Sequence, residues 1–222
     1  MTTASGVESG AITRYRVPSG TAEAELVVKN SIFIGTAGPA PNAEAAQAFI
    51  DAVRAAYPDA NHHAWAYRIE GGPQGEIGSS DDGEPGGTAG RPMLAILEGS
   101  GICEIVVVGT RYFGGIKLGT GGLVRAYGGA AREALKELPT EERVLHHLAS
   151  LTVDYALYGN LRYLFPQQGV RIEEETFAER VTLRIAVPAE AFDEVSASLR
   201  ELTNGEVRLP ERVAGQRYYA EA

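Results

Sequence analysis

Residues 81–132 read DDGEPGGTAGRPMLAILEGSGICEIVVVGTRYFGGIKLGTGGLVRAYGGAAR. An acidic glycine loop comes first, then an apolar β-branched run, then a second glycine-rich segment that carries Arg111 and Lys117 into a helical pattern. Positions 105–132 hold no acidic residue, while Arg111, Lys117, Arg125 and Arg132 are all basic. Glycine lets a backbone approach a ligand closely, and a helix N-terminus presents unpaired N–H groups. Arg111, Lys117, Gly119, Gly121 and Gly122 are therefore candidates for an anion-binding surface. The competing reading is structural: the glycines permit close strand–helix packing, and Arg111 pairs with the acidic loop. Neither nucleotide fingerprint is complete, since the Gly-Lys-Ser/Thr ending is absent and Val124 stands where a third glycine would fall.

Working outward, residues 104–108 (EIVVV) predict a buried strand and 121–138 predict a helix. Leu123, Tyr127, Ala130, Ala134 and Leu138 share one helical face, and Arg125, Arg132 and Lys136 share the opposite one. That second face extends the anion or RNA-binding candidates. Glu76, Asp81, Asp82 and Glu84 could hold a cation, but Asp82–Gly83 is a turn pair, and a turn that salt-bridges to Arg111 or Lys117 is favoured. His62 and His63 are adjacent in a strand-like run, so they point to opposite faces and are poor joint metal ligands; one of them could reach the cleft beside the 71–90 loop, but a hydrogen-bonded structural histidine is favoured. No metal site and no cofactor are expected. Serine-hydrolase chemistry finds no Gly-x-Ser-x-Gly.

The rest of the chain divides around this centre. Residues 1–13 predict a flexible tail, 14–138 a first domain, 139–147 a linker, 148–213 a second domain and 214–222 a C-terminal tail. In the first domain, 21–37 predicts two strands about the turn at Lys29–Asn30–Ser31. Asn42 caps a helix through Tyr57 whose inner face is Ala45, Phe49, Ala52, Val53 and Ala56. Residues 71–90 hold eight glycines in twenty and predict one long loop. In the second, strand 148–156, helix 157–167, strands 170–177 and 180–187, helix 189–202 and strand 206–213 give the βαββαβ order of a ferredoxin-like sandwich. The fold class is α+β with two domains.

Net charge is −9, so non-specific attraction to nucleic acid at long range is excluded, and any RNA contact has to be local. Sequence-specific DNA binding is not expected. The lone Cys103 excludes an intramolecular disulfide and reads as a small buried thiol. No signal-peptide pattern and no apolar run of membrane-spanning length occurs, so a cytoplasmic protein without a membrane partner is expected.

Three runs, ANHHAWAY (60–67), SDDGEPGGTAG (80–90) and VVVGTRYFGGIKLGTGGLVRAY (106–127), resemble the IMPACT family. The bacterial YigZ-like branch, with its second small domain, is the nearer match and covers about residues 15–213. The resemblance implies a first domain similar to domain four of the translocation elongation factor and a second similar to its domain five. It implies a non-enzymatic cytoplasmic binding protein associated with translation, with the ribosome, RNA or a translation-related protein as partner. Two alternatives stand beside it: an enzyme acting on a phosphate-bearing small molecule, and a protein-binding module that uses the second domain's sheet. This chain departs from the family at Asn30 and Ile32, often basic, and at Ala64, often cysteine. The kinase regulation performed by eukaryotic members is not extended to it.

Overall fold

The computed structural model describes residues 13–69, 75–209 and 215–221. In chain order the elements are β1 (Arg14–Pro18), β2 (Ala22–Val28), β3 (Ser31–Pro39), α1 (Ala43–Ala56), β4 (His62–Ile69), β5 (Glu76–Ser80), α2 (Gly90–Ser100), β6 (Ile105–Tyr112) and α3 (Thr120–Glu137). They continue with β7 (Thr140–Val153), α4 (Tyr155–Gln167), β8 (Arg171–Phe177), β9 (Val181–Pro188), α5 (Phe192–Leu202) and β10 (Gly215–Ala220). The chain forms two compact units, one of them Tyr15–Glu142. The fold is mixed α and β, as the sequence implies. Among the described residues no helix is long and apolar enough to cross a membrane.

In the first unit the sheet order is β2-β3-β6-β4-β5. Its central strand β6 is buried on both faces, which is why its sequence is a continuous apolar run instead of an alternating one. Ile105 and Val107 face one cluster with α2 and α3, and Val106 and Val108 face another with α1. Asn42 caps α1 by accepting from the Ala45 N–H at 2.8 Å. The buried face of α1 is Ala46, Ile50 and Val53, whereas Ala52 and Ala56 are exposed. The sequence reading thus holds for Val53 and for Phe49, which packs beside the cluster, and fails for Ala52 and Ala56, because an alanine-rich helix has few large side chains to fix its orientation. On α3 the buried residues include Leu123, Tyr127, Ala130 and Ala134, as helical spacing predicts.

A row of small residues decides how closely α3 lies on the sheet. Gly35, Gly109 and Ala64 are direct cross-strand partners on β3, β6 and β4. A Cβ at Gly35 would overlap the Ala130 carbonyl, and one at Gly109 would lie 2.7 Å from the Tyr127 ring. The next row along, two residues on, is Phe33, Arg111 and His62. The pleat therefore aims these three side chains at the same face, beyond the point where Tyr127 packs.

In the second unit β7 is flanked by β10 and β9, and β9 by β8, all antiparallel. With the βαββαβ element order this is the ferredoxin-like arrangement. Its core joins Leu151, Val153, Phe165, Leu183, Ile185, Val195 and Leu199 among others. Two sequence boundaries need correction. Residues 140–147, read as linker, belong to β7: Val144 and Leu145 are buried, and 143–148 pair with 215–220. The charged TEER run concealed a strand whose partner is about 70 residues away. The closing strand is β10, in the segment read as a tail, while 206–209 carries no strand and 210–214 lies outside the described residues. The sequence tail 1–13 lies outside them except for Thr13, whose C=O accepts from the Leu145 N–H. Part of the glycine-rich 71–90 segment is also a strand: β5 pairs with β4 from Glu76 to Ser80, although 71–74 lies outside the described residues.

Candidate functional site

The acidic loop folds onto the sheet through three carboxylates, each with a separate set of partners. Asp81 accepts the backbone N–H groups of Gly87, Ala89 and Gly90 at 2.7–2.9 Å. It caps α2 from outside the helix, since Ala89 at the N-cap offers no side-chain bond. Burial alone would raise its carboxyl, but those three N–H donors and Arg91 hold it below the ordinary carboxylate value. Asp82 accepts from Arg54 at 3.0 Å and from the His63 N–H at 2.6 Å. Its own C=O accepts from His62 Nδ1 at 2.8 Å.

Glu84 turns inward, and its side chain is 3% exposed. One of its oxygens, Oε1, accepts from Arg111 Nη1 at 2.6 Å and from the Tyr127 hydroxyl at 2.8 Å, with His62 Nε2 at 3.9 Å. The Arg111 guanidinium sits over the Phe33 and Phe113 rings, 5.3 and 5.4 Å from their centroids. Its Nε is buried and lacks a hydrogen-bond partner. Burial, followed by the bond to Glu84, pushes the Tyr127 phenol upward, so it remains protonated and donates. His63, on the opposite face of β4, is buried and meets the Tyr57 carbonyl at 3.0 Å.

The remaining candidates lie on the outside. Lys117, Gly119, Gly121, Arg125, Arg132 and Lys136 are exposed, and Gly122 is half-buried. Lys136 pairs with Glu133 one turn away at 2.7 Å. Lys117, Arg125 and Arg132 form no ion pair among the described residues. Gly119 takes φ +70 at the start of α3, which has no side-chain cap and no acid in its first turn. The structure therefore separates two groups that the sequence joined: Arg111 belongs to a buried cluster with Glu84, and the other basic residues to the surface. Among the described residues no group of three His, Cys, Asp or Glu is placed to hold a metal ion.

Two participants escaped the sequence reading. Tyr127 was read only as a core residue, yet a buried phenol needs a hydrogen-bond partner, and this was a usable signal. Arg54, the basic residue in the last turn of α1, drew no reading. Nothing local links it to Asp82, 28 positions away.

A helix-covered five-stranded sheet with a buried acid–base cluster, joined to a ferredoxin-like unit, defines the class: a two-domain α+β protein. Residues 29–135 match the Impact N-terminal domain and 151–206 match a domain of unknown function, DUF1949. The chain is 41% identical over 197 residues to IMPACT family member YigZ of Escherichia coli (strain K12), covering 88% of this chain and 96% of that protein. It is 35% identical over 190 residues to IMPACT family member YvyE of Bacillus subtilis (strain 168), covering 85% and 87%. A crystal structure of a hypothetical protein, 38% identical, superposes with a TM-score of 0.65 over 92% of this chain and 100% of that one. The chain belongs to the IMPACT family.

Proposed function

We propose that this protein is a non-enzymatic, cytoplasmic binding protein of the translation apparatus, and that its first unit contacts RNA backbone phosphates through Lys117, Arg125 and Arg132. The observation that carries the reading is that these three cations are exposed and unpaired among the described residues, in a stretch without acids. Arg111 is left out, because a guanidinium committed to Glu84 has no charge to spare. Asp81, Asp82 and Glu84 are engaged by backbone, Arg54 and Arg111, so the reading gives them the task of holding the 81–90 loop.

Phosphate contacts predict a strong salt dependence, with a slope near −0.7 per phosphate contact on a single strand. The test is co-sedimentation with ribosomes and with total RNA across a salt series, for the wild type and for Arg125→Glu/Arg132→Glu. The double variant should keep its fold, bind more weakly at every salt concentration and lose roughly 1.4 from the slope of log K against log salt. Unchanged co-sedimentation would overturn the reading.

A further inference from the structure

The surface carrying these cations also contains a pocket. About 160 Å³ of space opens between edge strand β2 and helix α3, lined by the apolar Leu26, Val28, Leu118 and Ala126. Gly122 and the exposed cations Lys29 and Arg125 complete the lining. Val28 pairs with Ser31, so Lys29 and Asn30 form a two-residue hairpin turn. Both adopt left-handed backbone, φ 45 and 66, as such a turn requires, although lysine is a poor residue for that conformation. The turn thus places Lys29 at the edge of the pocket. The loop leading into α3 is packed against the same turn. A Cβ at Gly114 would overlap the Asn30 backbone, and the Gly114 N–H donates to Ser31 Oγ at 3.1 Å. That loop exposes Phe113 and Ile116, at 48% and 47%.

An apolar slot with two cations in its wall suits a ligand that is flat and apolar at one end and anionic at the other. We infer that the pocket between β2 and α3 receives one unpaired base of a single-stranded RNA, with Lys29 and Arg125 meeting its flanking phosphates. This rests on the RNA-binding reading above and adds to it a preference for single strands. A duplex holds its bases stacked inside and offers only phosphates and groove edges, so it cannot fill the slot. Arg132 lies seven residues beyond Arg125 on the same face of α3, and the two give the strand a track leading away from the pocket.

The experiment compares fluorescence anisotropy of a labelled single-stranded RNA decamer and a blunt RNA hairpin closed by a polyethylene glycol linker, which offers no unpaired base, at one fixed salt concentration. Wild type should bind the decamer more tightly than the hairpin. Val28→Phe, which fills the slot on a strand that tolerates aromatic residues, should weaken decamer binding about tenfold and leave hairpin binding unchanged. Arg125→Glu should weaken both. Should Val28→Phe fail to fold, Leu118→Phe takes its place. Independently of any variant, photocrosslinking of wild type to a 4-thiouridine decamer should label peptides containing residues 26–29 or 118–126. Decamer binding by a folded slot-filling variant equal to wild type, equal affinity of wild type for the two RNAs, or crosslinks confined to other peptides would each overturn the inference. If wild type binds neither RNA, the RNA-binding reading of the previous subsection falls with it. If wild type binds but filling the slot changes nothing, only the pocket is lost.

Discussion

Replacing Glu84 by alanine tests the buried cluster most directly. The Glu84 and Arg111 side chains are 3% and 8% exposed, so water cannot take the place of the lost partner. Arg111 Nη1 would lose its 2.6 Å acceptor in a guanidinium whose Nε already lacks one, and the Tyr127 hydroxyl would lose its 2.8 Å acceptor. Breaking one side of a buried ion pair costs about 3–5 kcal/mol. The chain has a single tryptophan, Trp65, which packs beside the α1 cluster in the first unit. Its fluorescence during urea unfolding therefore reports on that unit alone. With a slope of about 2 kcal/mol per molar urea, the midpoint should fall by roughly 2 M. Replacing both partners by apolar residues, Glu84→Leu with Arg111→Met, should restore most of the loss, because the desolvation cost disappears together with the attraction. A Glu84→Ala protein within about 1 kcal/mol of wild type would refute the claim that Glu84 holds a buried cation in place.

Two further outcomes follow from the same unit. Gly35→Ala should destabilise it by roughly 3 kcal/mol, the upper end of overpacking, because the new methyl group would meet helix backbone and not a flexible side chain. Gly86→Ala, where a Cβ meets nothing within 4 Å, should change the Trp65 melting point little, and equal effects at the two positions would refute the close-approach argument. Asp81→Asn should be less stable than wild type at neutral pH. The Asp81 carboxyl is depressed in the folded state, so its contribution is present above the unfolded value near ~3.9 and disappears as pH falls through the depressed one. The gap between the two melting temperatures should therefore close on acidification, and a gap constant from pH 7 to pH 2 would contradict the capping role.

Periodicity within one element was legible from the sequence alone. The apolar run of β6 announced a strand buried on both faces, and Leu123, Tyr127, Ala130 and Ala134 announced the inner face of α3. The first five elements of the βαββαβ order were legible for the same reason, whereas the closing strand, read at 206–213, lies at Gly215–Ala220. Pairing between distant segments was not. Both Arg111 and Lys117 stood as partners for the acidic loop, and the register of β6 against β3 and β4 decided between them. That register turns Arg111 inward beside Phe33 and His62, and Lys117 lies beyond the end of the strand. The strand formed by 140–147 was equally hidden, because its ladder partners, among them residues 215–220 and 187–188, are distant in the chain and its sequence carries the charges of a solvent-facing linker. A chain specifies the faces of its elements through neighbours a few residues apart. Which buried charge meets which, and which backbone finds a ladder partner, is fixed only when the sheet closes over long loops and leaves one arrangement with its polar groups satisfied.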